Sequence, residues 1–305
     1  MKFDVIIVGS GLSGSYLARK LHLRGFNTLI VEKSKSIGGR LSTKPVGSGL
    51  ADYGCQYLSP KSEELSTLIQ ELETKKIIKK SNLFKNKSSY IAPYGMNKIP
   101  QYLSLGIKTL LNQKVESLKR TKADWEIITD SFSLKSNALV LTMPINQVTE
   151  LLQLNDSELK KLPKAKYKSF FTITLQSENQ INRKVVSSIK NAPWICNNLL
   201  KGIENKKNIY TINLSQEFSD SLLDLKNSEK DKILKDFLLN IGFKNYSHLR
   251  LHFWKYAFSE DQNNTINYFD KNKMLGLCGD SFSVGQANGA IVSAERTFKD
   301  ISHII

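Results

Sequence analysis

Phe3-Asp4-Val5-Ile6-Ile7-Val8-Gly9-Ser10-Gly11-Leu12-Ser13-Gly14 is an apolar, β-branched run that breaks into a Gly-x-Gly-x-x-Gly string. The run from Phe3 to Val8 predicts a buried strand. Behind the glycines, Leu12, Tyr16, Leu17, Leu21 and Leu23 fall near helical spacing and predict a helix over 12–24. Thr28 to Val31 reads as a second buried strand. The glycine string alone is a weak signal. Between a strand and a helix it is the phosphate-binding turn of a βαβ unit. Gly9 permits the tight turn, Gly11 lets backbone approach a pyrophosphate, and Gly14 lets the helix pack closely on the strand. The free N–H groups and the positive end of the helix then face the phosphates.

Glu32 ends the second strand, about 20 residues past the third glycine, where a carboxylate accepts ribose hydroxyls. A negative charge there repels a 2′-phosphate, which disfavours NADP. The next residues, Lys33-Ser34-Lys35-Ser36-Ile37-Gly38-Gly39-Arg40, separate FAD from NAD. An acidic strand end followed by Gly-Gly-Arg resembles the FAD-binding amine oxidase superfamily. There the glycines bring backbone near the pyrophosphate and the Arg neutralises phosphate charge. Far along the chain, Gly279-Asp280 follows the apolar run Met274 to Cys278. Gly289-Ala290-Ile291-Val292-Ser293-Ala294 then opens a final helix, expected over about 289–301. A carboxylate at a strand end can accept ribitol hydroxyls. A helix N-terminus near the isoalloxazine would stabilise the negative charge that develops on reduction. Non-covalent FAD between the two ends of the chain is the expectation.

The intervening sequence predicts a loop over 34–48, a helix capped at Ser62, a strand at Ser89 to Ala92, a turn at Pro93 to Gly95 and a short helix at Met96 to Leu105. Strands follow at Lys114 to Thr121, Trp125 to Asp130 and Ala138 to Leu141, and Pro144 starts a helix. From Tyr167 the pattern changes. Phe170 to Leu175, Ile209 to Leu214 and Leu249 to Phe258 are strand-like, and Glu229 to Ile241 is an amphipathic helix. The expected class is α/β, with a Rossmann-like FAD-binding domain over 1–75, 96–165 and 270–305. A smaller α+β substrate domain, built on an antiparallel sheet, is expected over 76–95 and 166–269.

Composition excludes several classes. The chain has 305 residues and a formal charge of +16, with 40% hydrophobic and 24% charged residues. Its lysines are scattered among Asn, Ser and Glu, with no Arg-rich tract or aromatic platform, so no nucleic-acid partner is expected. Cys55, Cys196 and Cys278 form no CxxC pair, and His22, His248, His252 and His303 form no metal pattern. No metal and no disulfide framework are expected. No apolar run approaches the roughly 20 residues that span a bilayer, and the first residues lack a cleavage-site pattern. A cytoplasmic location is the expectation.

Further segments carry a closer resemblance. Tyr53-Gly54-Cys55-Gln56-Tyr57, Ala92-Pro93-Tyr94-Gly95-Met96, Leu141-Thr142-Met143-Pro144, Asn205-Lys206-Lys207-Asn208, Trp254-Lys255-Tyr256 and Cys278-Gly279-Asp280-Ser281-Phe282 resemble the renalase-type flavoproteins over nearly the full length. This resemblance implies a fold of the GR2 or p-hydroxybenzoate hydroxylase type. It implies that Gly9, Ser10, Gly11, Leu12, Ser13, Gly14, Glu32, Lys33, Gly39, Arg40 and Leu41 line the ADP end of FAD, with Val115 at the adenine. Gln56 and Tyr57 approach the flavin ring, while Gly279, Asp280, Gly289, Ala290 and Ile291 meet the ribitol and flavin. Trp254, Tyr256 and Tyr57 are the substrate-face candidates.

Cys55 departs from the family, which commonly has Ala there, and reads as small packing. For Trp254 and Tyr256, which alternate on one strand, and for Trp194, an aromatic substrate wall and plain core packing both stay open. His252 reads as a packed histidine rather than a catalytic one. The renalase resemblance implies oxidation of a small reduced substrate, such as an isomeric dihydro-NAD(P), with oxygen as acceptor. Two other readings stay open: a superfamily enzyme acting on an amine, a polyene or a tetrapyrrole, and a flavin-binding protein that turns nothing over.

Overall fold

The computed structural model describes residues 2–152, 157, 160, 162, 165–178, 183–260, 265–283 and 285–304. The domain spans expected over 96–165 and 166–269 each include stretches outside these residues. β1 (Lys2–Val8), α1 (Leu12–Leu23) and β2 (Thr28–Val31) form the βαβ unit. A hairpin of β3 (Thr43–Val46) and β4 (Gly49–Asp52) follows, then α2 (Glu63–Thr74). β5 (Lys79–Ser81) pairs with β6 (Ser89–Ile91). Next come α3 (Lys98–Leu103), β7 (Lys108–Leu110), β8 (Val115–Arg120), β9 (Trp125–Thr129), β10 (Ser133–Leu141) and α4 (Ile145–Leu152). The later half holds β11 (Tyr167–Ser177), β12 (Val185–Val186), β13 (Trp194–Asn197), α5 (Asn198–Lys201), β14 (Ile209–Asn213), α6 (Gln216–Asp220), α7 (Asn227–Asn240) and β15 (Tyr246–Ser259). β16 (Tyr268–Asp270), β17 (Leu275–Leu277) and α8 (Gln286–Ser302) close the chain.

The first sheet has the order β16-β17-β10-β1-β2-β7, with β9 paired to β10 and β8 paired to β9. β17, β10, β1, β2 and β7 run parallel. A parallel sheet needs cover on both faces, and β1 shows it by alternation. Val5 and Ile7 join the core of Leu17, Ala18 and Leu21 from α1 and Ala294, Phe298 and Ile301 from α8. Ile6 and Val8 join Trp125, Ile127, Leu139 and Val148 on the opposite face. The first and last segments of the chain therefore share one sheet and one helical layer. Their connecting turns leave the carboxyl ends of β1, β2 and β17, where open α/β sheets place ligands.

The second sheet has the order β12-β13-β14-β11-β15 and is antiparallel. Its apolar face sets Phe171, Ile173, Leu175 and Ile212 against Leu234 and Leu238 of α7. The opposite face is polar and aromatic. Thr172 lies across from Asn213 and His252, and Thr174 across from Thr211 and Arg250. This face meets the β3–β4 hairpin, where the Thr211 hydroxyl donates to the Asp52 carbonyl at 2.8 Å.

Two sequence expectations are corrected here. The segment expected as loop over 34–48 contains β3, whose antiparallel register with β4 runs from Thr43↔Asp52 to Val46↔Gly49. Pro45 and the flanking glycines hide it, because they read as breakers although an edge hairpin tolerates them. The last helix starts at Gln286 rather than Gly289, so Gly289 lies in its first turn. A Cβ on Gly289 would come within 2.2 Å of the Phe282 carbonyl oxygen, so this glycine serves close helix–loop packing.

Candidate functional site

Glu32 emerges from the end of β2 almost fully buried, 7% exposed. Its Oε2 accepts from the Ser10 N–H at 2.8 Å and the Ser10 hydroxyl at 2.9 Å, and its Oε1 accepts from the Ser34 N–H at 2.8 Å. An ionised carboxylate offers about four acceptor sites, so about one remains for a hydroxyl. Beside it the Gln113 N–H donates to the Glu32 carbonyl, which brings the strand beginning at Val115 to the same end. Lys33 is exposed.

The glycine turn builds the next part. Gly9 takes φ +109°, and a Cβ on Gly14 would sit 2.1 Å from the Gly9 carbonyl oxygen, so these two glycines shape the turn itself. Gly11 is different. A Cβ there would meet only the Gly39 Cα, at 3.9 Å. Gly39, at φ +55°, faces it from the Gly-Gly-Arg loop. The two bare Cα atoms flank a slot at the start of α1, and no side chain caps that helix. Uncapped N–H groups beside a side-chain-free slot are what a pyrophosphate requires. The residues present therefore fit the ADP end of a dinucleotide. Ser13, expected to line this end, donates its hydroxyl to the Cys278 sulfur at 3.2 Å.

Arg40 and Asp280 join the two ends of the chain. The guanidinium donates to Asp280 Oδ2 at 2.6 Å from Nη1 and to Oδ1 at 2.5 Å from Nη2. Nη1 also donates to the Tyr256 carbonyl at 3.3 Å, and the Tyr167 hydroxyl donates to Asp280 Oδ1 at 3.3 Å. Burial would lower the Arg40 pKa, but the charge and hydrogen bonds of Asp280 outweigh it and the net shift is upward. Burial first, and then the charge of Asp280, pushes the Tyr167 phenol up to about 12. Leu12, Leu41, Met96, Ala290 and Ile291 form one apolar cluster with Cys55 against it. The fingerprint helix, the residue after the Gly-Gly-Arg loop and the N-terminal part of α8 are thus in one place. Gly279 is pinned there by its N–H to the Ser293 hydroxyl at 3.0 Å.

The segment 52–57 borders this cluster and is held from behind. Asp52 and Lys201 form an ion pair at 2.7 Å with both side chains 0% exposed. Lys201 also donates to Gln56 Oε1 at 3.3 Å, while Gln56 Nε2 donates to the carbonyls of Asp52 and Gly54. Every polar side-chain atom of Gln56 is thus turned into the protein. Burial pushes the Cys55, Cys196 and Cys278 thiols up to about 11, so each is a protonated packing group. Sequence reasoning missed Tyr167, Lys201 and Ser10's bond to Glu32. Tyr167 and Lys201 lie more than a hundred positions from their partners and carry no local pattern.

The substrate-face candidates are only partly brought together. Trp254 stacks on Tyr53 at 5.2 Å and its indole N–H donates to the Tyr53 carbonyl at 3.1 Å. Tyr256 packs edge-on to Tyr167 at 5.4 Å, close to Arg40. Tyr57 packs against a different pair of rings, Phe84 at 5.1 Å and Trp194 at 6.1 Å. His252 packs on Tyr53 and Trp254, and burial followed by the charge of Lys44 lowers its pKa to about 4.

Residues 7–72 match the NAD(P)-binding Rossmann-like domain family. Putrescine oxidase of Kocuria rosea is 34% identical over 92 residues, 30% of this chain and 19% of the relative. Human amine oxidase [flavin-containing] B is 35% identical over 79 residues, 25% of this chain and 15% of the relative. The matched part of the chain thus spans 15% to 19% of the length of these relatives. Among solved structures, cyclohexylamine oxidase from Brevibacterium oxydans IH-35A superposes over 99% of both chains with a TM-score of 0.75 at 12% identity. The whole chain therefore has the fold of cyclohexylamine oxidase, and the residues matched to the Rossmann-like family include Gly9–Gly14, Glu32 and Gly38–Arg40.

Proposed function

We propose that this chain is an FAD-dependent oxidoreductase of the flavin amine oxidase superfamily, of renalase type, that oxidises a small reduced substrate such as an isomeric dihydro-NAD(P) with oxygen as electron acceptor. The observation that carries this reading is the joined site. Glu32 and the Gly11–Gly39 slot supply a dinucleotide cradle, and Arg40–Asp280 ties it to the turn before α8. FAD, when bound, supplies a two-electron acceptor for hydride. The chain's own residues bind and orient. Gly9 to Gly14, Glu32, Lys33, Gly39, Arg40, Leu41 and Val115 hold the ADP end. Asp280 has acceptor capacity left for ribitol hydroxyls, and the uncapped start of α8 favours negative charge near Gly289, Ala290 and Ile291. Gln56 and Tyr57 border the ring through the 52–57 segment. Trp254 and Tyr256 place the substrate on the polar face of the second sheet. In this reading the cradle belongs to a unit of 1–75, 96–165 and 270–305 and the substrate face to 76–95 and 166–269, in a cytoplasmic protein. No helix among the described residues is long and apolar enough to cross a membrane.

Among the described residues no histidine forms an acid–base pair with a carboxylate, which suits a dihydropyridine donor that releases hydride without separate proton abstraction. The likeness to putrescine oxidase favours a second reading, amine oxidation. Anaerobic mixing decides between them. Isomeric dihydro-NAD(P) should bleach the flavin absorbance, and oxygen should then restore it with release of peroxide. Bleaching by amines and by no dihydronicotinamide would replace the first reading with the second.

A further inference from the structure

The polar face of the second sheet carries a cleft of about 290 Å³ that the flavin reading does not use. Lys44 of β3 and Tyr53, just past β4, form one wall, and Thr174 of β11 with Arg250, Leu251 and His252 of β15 form the other. It lies along β15 from Arg40: Tyr256, Trp254, His252 and Arg250 alternate on one side of the strand and cover roughly 20 Å. Trp254 and Tyr53, stacked at 5.2 Å, separate it from the 54–57 segment.

The cleft is cationic and, among the described residues, has no counter-charge. Lys44 sits 4.0 Å above the Tyr53 ring. Among the described residues, neither Lys44 nor Arg250 forms an ion pair. Among the described residues no carboxylate lines the walls. The acid nearest in sequence to Tyr53 is Asp52, which is buried and committed to Lys201, the Thr43 hydroxyl and the Met96 N–H. Two unpaired cations on facing walls, over the neutral groups Tyr53, Thr174 and Leu251, focus positive potential into the concavity. A guanidinium presents its donors as a planar fork that matches oxyanions. An alkylammonium group placed here would meet two like charges and, among the described residues, no acceptor of opposite sign.

We propose that this cleft binds a compact oxyanion, a carboxylate or phosphate group, held between Lys44 and Arg250 with Thr174 and Tyr53 as its neutral walls. The site stands on the cleft alone and not on the flavin reading. It also sets a preference: ligands that reach this face carry negative charge, in contrast to the diamine named for one relative. His252 is a built-in reporter. Its pKa is lowered to about 4 by burial and then by Lys44, so an anion beside Lys44 offsets part of that shift.

The test titrates the full chain, with and without FAD, with inorganic phosphate, benzoate and, as a cationic control, benzylamine. Binding is read by calorimetry and the His252 ring by NMR. At least one anion is expected to bind and to raise the His252 pKa, and benzylamine to do neither. Phosphate alone identifies a phosphate site, benzoate alone a carboxylate site, and both a general oxyanion site. Lys44→Met and Arg250→Met should each weaken binding about tenfold or more. Both side chains reach solvent, so circular dichroism and unfolding midpoints should match the parent. The FAD-free arm keeps the test intact if the flavin reading fails, since phosphate held at Gly11 would ignore both substitutions. Absence of anion binding, binding unchanged in both variants, an unmoved His252 titration, or tighter binding of benzylamine would overturn the proposal.

Discussion

Glu32 commits three hydrogen bonds to Ser10 and Ser34, and this fixes where its carboxylate points before any ligand arrives. Preorganisation of that kind lowers the cost of binding. The Asp52–Lys201 pair does the same from behind. With both side chains fully buried, removing one partner leaves an uncompensated charge. Lys201→Met should therefore cost about 3–5 kcal/mol in urea unfolding. Lys201→Met combined with Asp52→Leu should recover much of that loss, and a double variant as unstable as the single one would show that the charge is not the cause. At this scale the sequence was legible only where chemistry is local. Gly9, Gly11, Gly14 and Glu32 sit within one βαβ unit, so spacing revealed them. Lys201 reads as an ordinary surface lysine, because nothing near it announces a partner in β4.

Elements follow the same division between local and distant. β1, α1 and β2 were readable because their periodicities change within a few residues of one another. The hairpin β3–β4 was not, since Pro45 and Gly47 mask an edge pairing that exists only against the second sheet. The start of α8 was displaced by three residues because Gly285 and Gln286, both at positive φ, form the entry turn, which resembles loop in sequence. β15 was found, but the partners of its aromatic row were not. His252 on this strand gives a pH signature. Its folded pKa lies below the ordinary 6.5, so the unfolded chain binds the proton first. The contribution of His252 is complete above about pH 6.5 and is lost as pH falls toward 4. Stability measured from pH 7 to 4 should fall less steeply in His252→Gln than in the parent. Identical slopes would show that the ring is solvated as in the unfolded chain.

Across the whole molecule, two distant stretches of chain come together at one place. The Arg40–Asp280 pair, the shared cluster of Leu12, Leu41, Ala290 and Ile291, and the common helical layer all say that residues 9–41 and 278–291 close together. A ligand that binds only the folded state stabilises it, by about 2.7 kcal/mol at a hundredfold excess over Kd. Removing FAD should lower the unfolding midpoint by a few degrees and should speed amide exchange in both stretches together. Exchange that changed at one end only would divide the site. The most direct measurement is the FAD content of Gly11→Leu beside its circular dichroism. A Cβ at Gly11 meets nothing closer than 3.9 Å, so the variant has room to fold, while the leucine fills the slot that faces Gly39. The variant should keep a parent-like fold and carry no flavin. A folded Gly11→Leu protein retaining a full equivalent of FAD would contradict this.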